Sequence, residues 1–243
     1  MDLSGSVGVV TGGGTGIGRA TALALARAGA GGIVLNYSRS ADEAGAVVAE
    51  LRQLGCPAIA ERADVADDDQ VRELARRALD EFGRVDVLVN NAGLTHAVPH
   101  EDLAGLTDEM WHRVLDVNLL GPFHCARAFA PPLAEARGAV VNVSSISAYR
   151  AGGSSIAYGV SKAALLQLTR NLAVALAPDV RVNAVAPGTV ATRWQAGLHG
   201  PRASPSVPAP NGSRCRCGAR PGPSTWRRPC SACSRWTWSP ARP

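Results

Sequence analysis

Val7-Gly8-Val9-Val10-Thr11-Gly12-Gly13-Gly14-Thr15-Gly16-Ile17-Gly18 is the stretch from which the rest of the chain can be placed. The apolar, β-branched run Val7–Thr11 reads as a buried strand, and the residues from Ile17 to Ala28 take up helical spacing. Between them, glycines permit a tight turn and a close approach of backbone to a phosphate. The helix N-terminus that follows offers unpaired N–H groups and the positive end of a dipole. Strand, glycine loop and helix in this order suit the pyrophosphate of a dinucleotide. No lysine follows the loop, so it is not the triphosphate-binding kind.

Outward from that stretch, apolar strands and amphipathic helices alternate. Strands are predicted over Ile33–Asn36, Ala58–Arg62, Val85–Val89, Val140–Val143 and Val180–Ala186. Helices are predicted over about Asp42–Leu54, Asp67–Phe82, Ile156–Ala177 and a long stretch from Thr107 that ends before Pro131. Short, continuously apolar strands are covered on both faces. The pattern is that of one α/β domain over residues 1–200, a Rossmann-like doubly wound parallel sheet.

Of 243 residues, 46% are hydrophobic and 19% charged, which supplies a sizeable core and excludes a wholly disordered chain. No run approaches the ~20 apolar residues of a membrane span. The first strand begins too early to leave room for a signal peptide, so the expected address is the cytosol. The net charge of +5 is misleading as a sign of nucleic-acid binding. Residues 201–243 hold eight arginines and no Asp or Glu, and subtracting those eight from +5 leaves residues 1–200 at −3.

Further motifs follow in order: Asn90-Asn91-Ala92-Gly93 after the fourth strand, Asn118 in the next helix, and Ser144-Ser145 after the fifth strand. Then come Tyr158 and Lys162, and finally Pro187-Gly188 with Thr192 after the sixth strand. Together with the Thr11–Gly18 loop, these six ordered motifs resemble the short-chain dehydrogenase/reductase family, nearest its ketoreductase-like branch, over about residues 3–195. The resemblance implies hydride transfer between a nicotinamide cofactor and a small-molecule carbonyl or secondary alcohol, of the 3-oxoacyl reductase kind. It implies Tyr158 as acid/base, Lys162 as its partner and ribose contact, Ser145 as donor to the substrate oxygen, and Asn118 as holder of a relay water. Cofactor contacts are implied for Gly12, Thr15, Gly16, Ile17, Gly18, Asp64, Val65, Asn90, Ala92, Gly93, Pro187, Gly188 and Thr192. A homodimer or homotetramer is also implied; no metal is.

The residues themselves agree. Four residues apart on a helix, Tyr158 and Lys162 share a face. A phenol with a pKa near 10 is a poor acid/base at neutral pH, and an adjacent ammonium is expected to lower it. Lys162 is the only lysine in the chain. After the second strand, Asn36-Tyr37-Ser38-Arg39-Ser40 lacks the carboxylate that binds ribose hydroxyls in NAD-preferring proteins, while Arg39 suits a 2′-phosphate. NADP(H) is therefore the expected cofactor, with NAD(H) the alternative. An NAD-linked sugar or steroid alcohol dehydrogenase and a non-catalytic nucleotide-binding protein are the competing readings.

Residues 201–243 carry nine of the 16 prolines and Cys215, Cys217, Cys230 and Cys233, without periodicity. On composition they read as disordered, and the cysteines lack the frame and spacing of a zinc site. Shifting the codons by one base gives a different message. Over Trp236–Ala241, Trp-Thr forces Asp and the following pairs permit Leu, Val, Thr and Gly, like the family's seventh strand and its Thr-Gly turn. Over Arg214–Arg220 the same shift permits Val-Pro-Leu-Arg-Arg. The tail reads as a shifted frame, and the chain as written is expected to be catalytically impaired.

Overall fold

The computed structural model describes residues 2–190. The elements run β1 (Val7–Val10), α1 (Gly16–Arg27), β2 (Gly32–Tyr37), α2 (Ala41–Gln53), β3 (Ala58–Arg62), α3 (Asp68–Phe82), β4 (Val87–Asn90) and α4 (Asp108–Leu115). A π-helical turn (Asp116–Leu120) then leads into α5 (Gly121–Glu135), β5 (Ala139–Val143), a 3₁₀ turn (Ile146–Ala148), α6 (Ile156–Ala175) and β6 (Arg181–Val185). Among the described residues no helix is long and apolar enough to cross a membrane.

The strands form one parallel sheet in the order β3-β2-β1-β4-β5-β6. Val10 pairs with Leu35 on one side and with Val89 on the other. The chain order therefore reverses at β1, and a crevice opens beyond the C-terminal ends of β1 and β4.

Alternation along the strands feeds two cores. Val9, Val34, Leu88 and Val140 pack with Leu74 of α3 and Phe129 of α5, while Val10, Ile33 and Leu35 pack with Leu23 of α1 and Leu51 of α2.

Two expectations are corrected. The predicted single helix from Thr107 is split by the π-helical turn. It also runs through Pro131 and Pro132 to Glu135 instead of ending before them. Each proline removes one helical N–H and crowds the carbonyl four residues back. Burial of Phe129, Pro132 and Leu133 holds the turn in place, and the Ala136 N–H closes it on the Pro132 carbonyl at 3.0 Å. Among the described residues β6 pairs only with β5, and Val185 at its end is 47% exposed. Thr192 and the tail readings lie outside the described residues.

Candidate active site

The loop between β1 and α1 is built to approach something closely. Gly12 has φ +61°, and a methyl group on it would lie 3.1 Å from the Ala92 Cα. A methyl group on Gly18 would lie 2.4 Å from the Gly12 carbonyl oxygen and 2.5 Å from Asn91 Nδ2, so helix and loop fit only without it. Asn91 Nδ2 donates to the carbonyls of Thr11 (2.9 Å) and Gly12 (3.1 Å). Thr11 Oγ1 accepts from the N–H groups of Asn91 (3.0 Å) and Ala92 (2.9 Å). The glycine loop and the segment after β4 are thus one unit. Thr11 and Asn91 lie inside the quoted motifs, but which of a motif's side chains face each other across two strands is not written in either.

Gly16, Ile17 and Gly18 form the first turn of α1. Thr15 stands before them in an extended conformation with no side-chain hydrogen bond to that turn, and the turn carries no acidic residue. Donors left open at a helix N-terminus, reached over glycine, fit a pyrophosphate. The residues present therefore fit a dinucleotide.

At the adjoining strand ends, Asp64 Oδ2 takes an ion pair from Arg113 Nη2 at 2.6 Å, and Oδ1 accepts from the Ala66 N–H at 3.1 Å. Burial works to raise the Asp64 pKa, but the Arg113 guanidinium, the Ala66 N–H and the more distant Arg39 together hold it below the ordinary carboxylate value. Val65 is buried against Gly121, and its carbonyl lies 3.1 Å from His124 Nδ1. Arg39 is exposed just after β2.

Asn90 is 2% exposed, and its side chain donates to Asn142 Oδ1 at 2.9 Å, linking β4 to β5 within the sheet. Strand alternation sends that side chain into the sheet's covered face.

Asn118, Ser145, Tyr158 and Lys162 converge. A methyl group on Gly93 would lie 3.5 Å from Asn118 Oδ1 and 3.6 Å from Lys162 Nζ, so both atoms face the same small space. Asn118 sits in the π-helical turn; its Oδ1 accepts from the Leu94 N–H at 2.7 Å, and Nδ2 donates to the Leu94 carbonyl (2.9 Å) and to Ser161 Oγ (3.0 Å). With both amide hydrogens used, only the second lone pair of Oδ1 is left on this side chain to hold a water.

Ser145 opens the 3₁₀ turn, where its Oγ accepts from the Ser147 N–H at 3.1 Å. Tyr158 is hydrogen-bonded to Ser145 and follows Ser155, whose Oγ caps α6 by accepting from the Tyr158 N–H at 3.3 Å.

Lys162 is 4% exposed; Nζ donates to the Val143 carbonyl at 2.9 Å and lies 5.7 Å from the centre of the Tyr158 ring. Burial pushes its pKa down to about 8. Tyr158 does not follow the expected lowering. Burial raises its pKa above the ordinary value and the Ser145 hydrogen bond offsets only part of that, because desolvating a phenolate outweighs one donated bond.

Pro187 and Gly188 adjoin this turn: the Pro187 carbonyl accepts from the Ile146 N–H at 3.1 Å. Among the described residues no group of three or more metal-ligating side chains occurs.

Residues 6–201 match the short chain dehydrogenase family. A protein of Streptomyces violaceoruber, assigned as ketoacyl reductase 2 of the granaticin polyketide synthase, is 44% identical over 189 residues, covering 77% of this chain and 74% of its own. A 3-oxoacyl-[acyl-carrier-protein] reductase of Synechocystis is 40% identical over 192 residues, covering 78% and 76%. The X-ray structure of an alcohol dehydrogenase from Thermococcus sibiricus in complex with 5-hydroxy-NADP superposes with a TM-score of 0.71 at 34% identity, covering 76% of this chain and 77% of that one.

Proposed function

The chain belongs to the short-chain dehydrogenase family and is an oxidoreductase acting on CH–OH groups, and from that premise we propose that it is an NADP(H)-dependent reductase of 3-oxoacyl-type carbonyls. The observation that carries the cofactor choice is the end of β2, where no carboxylate stands between Asn36 and Ser40. There the exposed Arg39 makes no hydrogen bond or ion pair among the described residues, and its charge is felt at Asp64. A guanidinium there suits a 2′-phosphate. The names of the Streptomyces and Synechocystis relatives support the substrate class.

The residues divide the work as follows. The open N–H groups of Gly16, Ile17 and Gly18 bind the pyrophosphate, Asp64 the adenine and Lys162 the ribose. The nicotinamide, when bound, supplies or accepts the hydride. Ser145, hydrogen-bonded to Tyr158 in the absence of substrate, turns its proton to the substrate oxygen as a hydrogen bond that strengthens with developing charge. Tyr158 transfers its proton to that oxygen, and the buried ammonium of Lys162 steadies the phenolate that results. Leu120 and Phe123 leave apolar surface at the start of α5 for a homodimeric or homotetrameric contact.

Replacing Tyr158 by Phe in the frame-repaired protein should lower turnover by about 10²–10⁴-fold while NADPH still binds; undiminished turnover would sink the assignment. Comparing kcat/KM for NADPH and NADH tests the cofactor choice, and a preference for NADH would overturn it.

We infer also that residues 201–243 are encoded out of frame. The family match ends at residue 201, where the composition changes to arginine, proline and cysteine without acidic residues. The gene should show a one- or two-base insertion or deletion near codons 195–215. The repaired protein should reduce carbonyls markedly faster than the present chain. A clean gene, or equal rates, would refute this.

A further inference from the structure

The ion pair between Arg113 and Asp64 joins residues 49 apart in sequence, from the end of β3 to the last turn of α4. Its side chains are 36% and 32% exposed, so its contribution to stability is small, as for other surface pairs. Its geometry is more informative. Arg113 occupies Oδ2, the Ala66 N–H occupies Oδ1, and the Asp64 N–H donates to Gln70 Oε1 at 2.9 Å. The carboxylate is held at both oxygens on a backbone that is itself tied down. Each oxygen keeps one lone pair, and an acceptor fixed in this way costs a ligand no ordering of its own.

We propose that Arg113 is a positioning residue for the cofactor, acting through Asp64 to present an aimed acceptor to the amino group of an adenine nucleotide. The proposal rests on the NADP(H) reading above. Among the described residues, the side-chain hydrogen bond and ion pair of Arg113 go to Asp64 and not to the nicotinamide site or the glycine loop. Its effect is therefore confined to the adenine end and disappears when Asp64 can no longer be aimed by it.

The test titrates the full 243-residue chain with 2′,5′-ADP, which carries the adenine and the 2′-phosphate without the nicotinamide, by calorimetry. Arg113→Met should weaken binding about tenfold, the scale of one hydrogen bond to a charged group, and Arg113→Lys should recover part of the loss. Asp64→Asn should weaken binding as well, and Arg113→Met added to Asp64→Asn should cause no further loss. A merely structural tie between α4 and β3, which Asp64→Asn breaks as well, would instead weaken binding of nicotinamide mononucleotide by the same factor as that of 2′,5′-ADP. That result, or unchanged affinity in Arg113→Met and Arg113→Lys alike, overturns the proposal. Failure of the unaltered chain to bind either 2′,5′-ADP or NADPH removes the cofactor reading and this inference with it. Binding of 2′,5′-ADP that is indifferent to Arg113 removes the inference alone.

Discussion

The N-termini of α1 and α3 are built in opposite ways. At α3 the chain closes its own helix: Asp67 Oδ1 accepts from the N–H groups of Asp69 (3.1 Å) and Gln70 (3.2 Å), and Asp68 and Asp69 add negative charge to the first turn. At α1 Thr15 makes no such bond and no acid follows. Both helices bury an apolar face, Ala22, Leu23 and Ala26 in one and Val71, Leu74 and Ala75 in the other. Packing therefore does not distinguish them. What differs is how the first-turn donors are met: at α3 by the Asp67 side chain, while at α1 no capping side chain takes them. A helix end left open beside a crevice is a binding element that gives up stability in the empty protein.

The most damaging way to break this contrast is Gly18→Ala. Its methyl group meets the Gly12 carbonyl at 2.4 Å, and backbone must move. NADP(H) affinity should fall by two orders of magnitude or more, with about 1–3 kcal/mol lost in chemical denaturation; unchanged affinity would mean that the loop is not the site. Thr15→Asp should turn α1 into a helix of the α3 kind. Its carboxylate would take the open donors and place negative charge where the pyrophosphate goes, so affinity should drop about tenfold or more while the Tm of the empty protein rises by ~2–4 °C. The smallest effect belongs to Asp67→Ala, which opens α3: Tm should fall by ~2–4 °C with cofactor affinity unaltered. Bonds from Gln70 hold the Asp67 carboxyl below its ordinary 3.8. The unfolded chain thus binds the proton first, and the stabilisation present at neutral pH is lost as pH falls through and below that value. Melts of both proteins across that range should converge at the acidic end.

Most of the frame was legible because it is written locally. A strand covered on both faces tends to be continuously apolar, as Val87–Val89 and Ala139–Val141 are, and β3 occupies the predicted Ala58–Arg62. The candidate site was legible where a motif carries its own spacing, as Tyr158 and Lys162 do. What escaped was either compositionally silent or non-local. The π-helical turn around Asn118 differs from an α-helix by its bonding offset alone, which no residue type announces. Pro131 and Pro132 are helix breakers by local chemistry and are overruled by the burial of their neighbours. Arg113 on Asp64, Asn91 on the glycine loop and Asn90 turned into the sheet all depend on partners dozens of residues away.

The pairing of β1 with β4 also imposes a schedule. β1 meets β2 after only 25 residues, Val7 opposite Gly32, but its other edge must wait for a partner 79 residues on, Val10 opposite Val89. During synthesis at about 5–20 residues per second, that wait is roughly 4–16 s, far longer than local helices and hairpins need to form. Through that interval an apolar strand has one side unpaired, a template for misassembly. The junction of the glycine loop with the segment after β4, tied by the Asn91 and Ala92 N–H groups on Thr11 Oγ1, comes into being only when the second edge closes. In a nascent or refolding chain, cofactor affinity thus cannot appear before this non-local event.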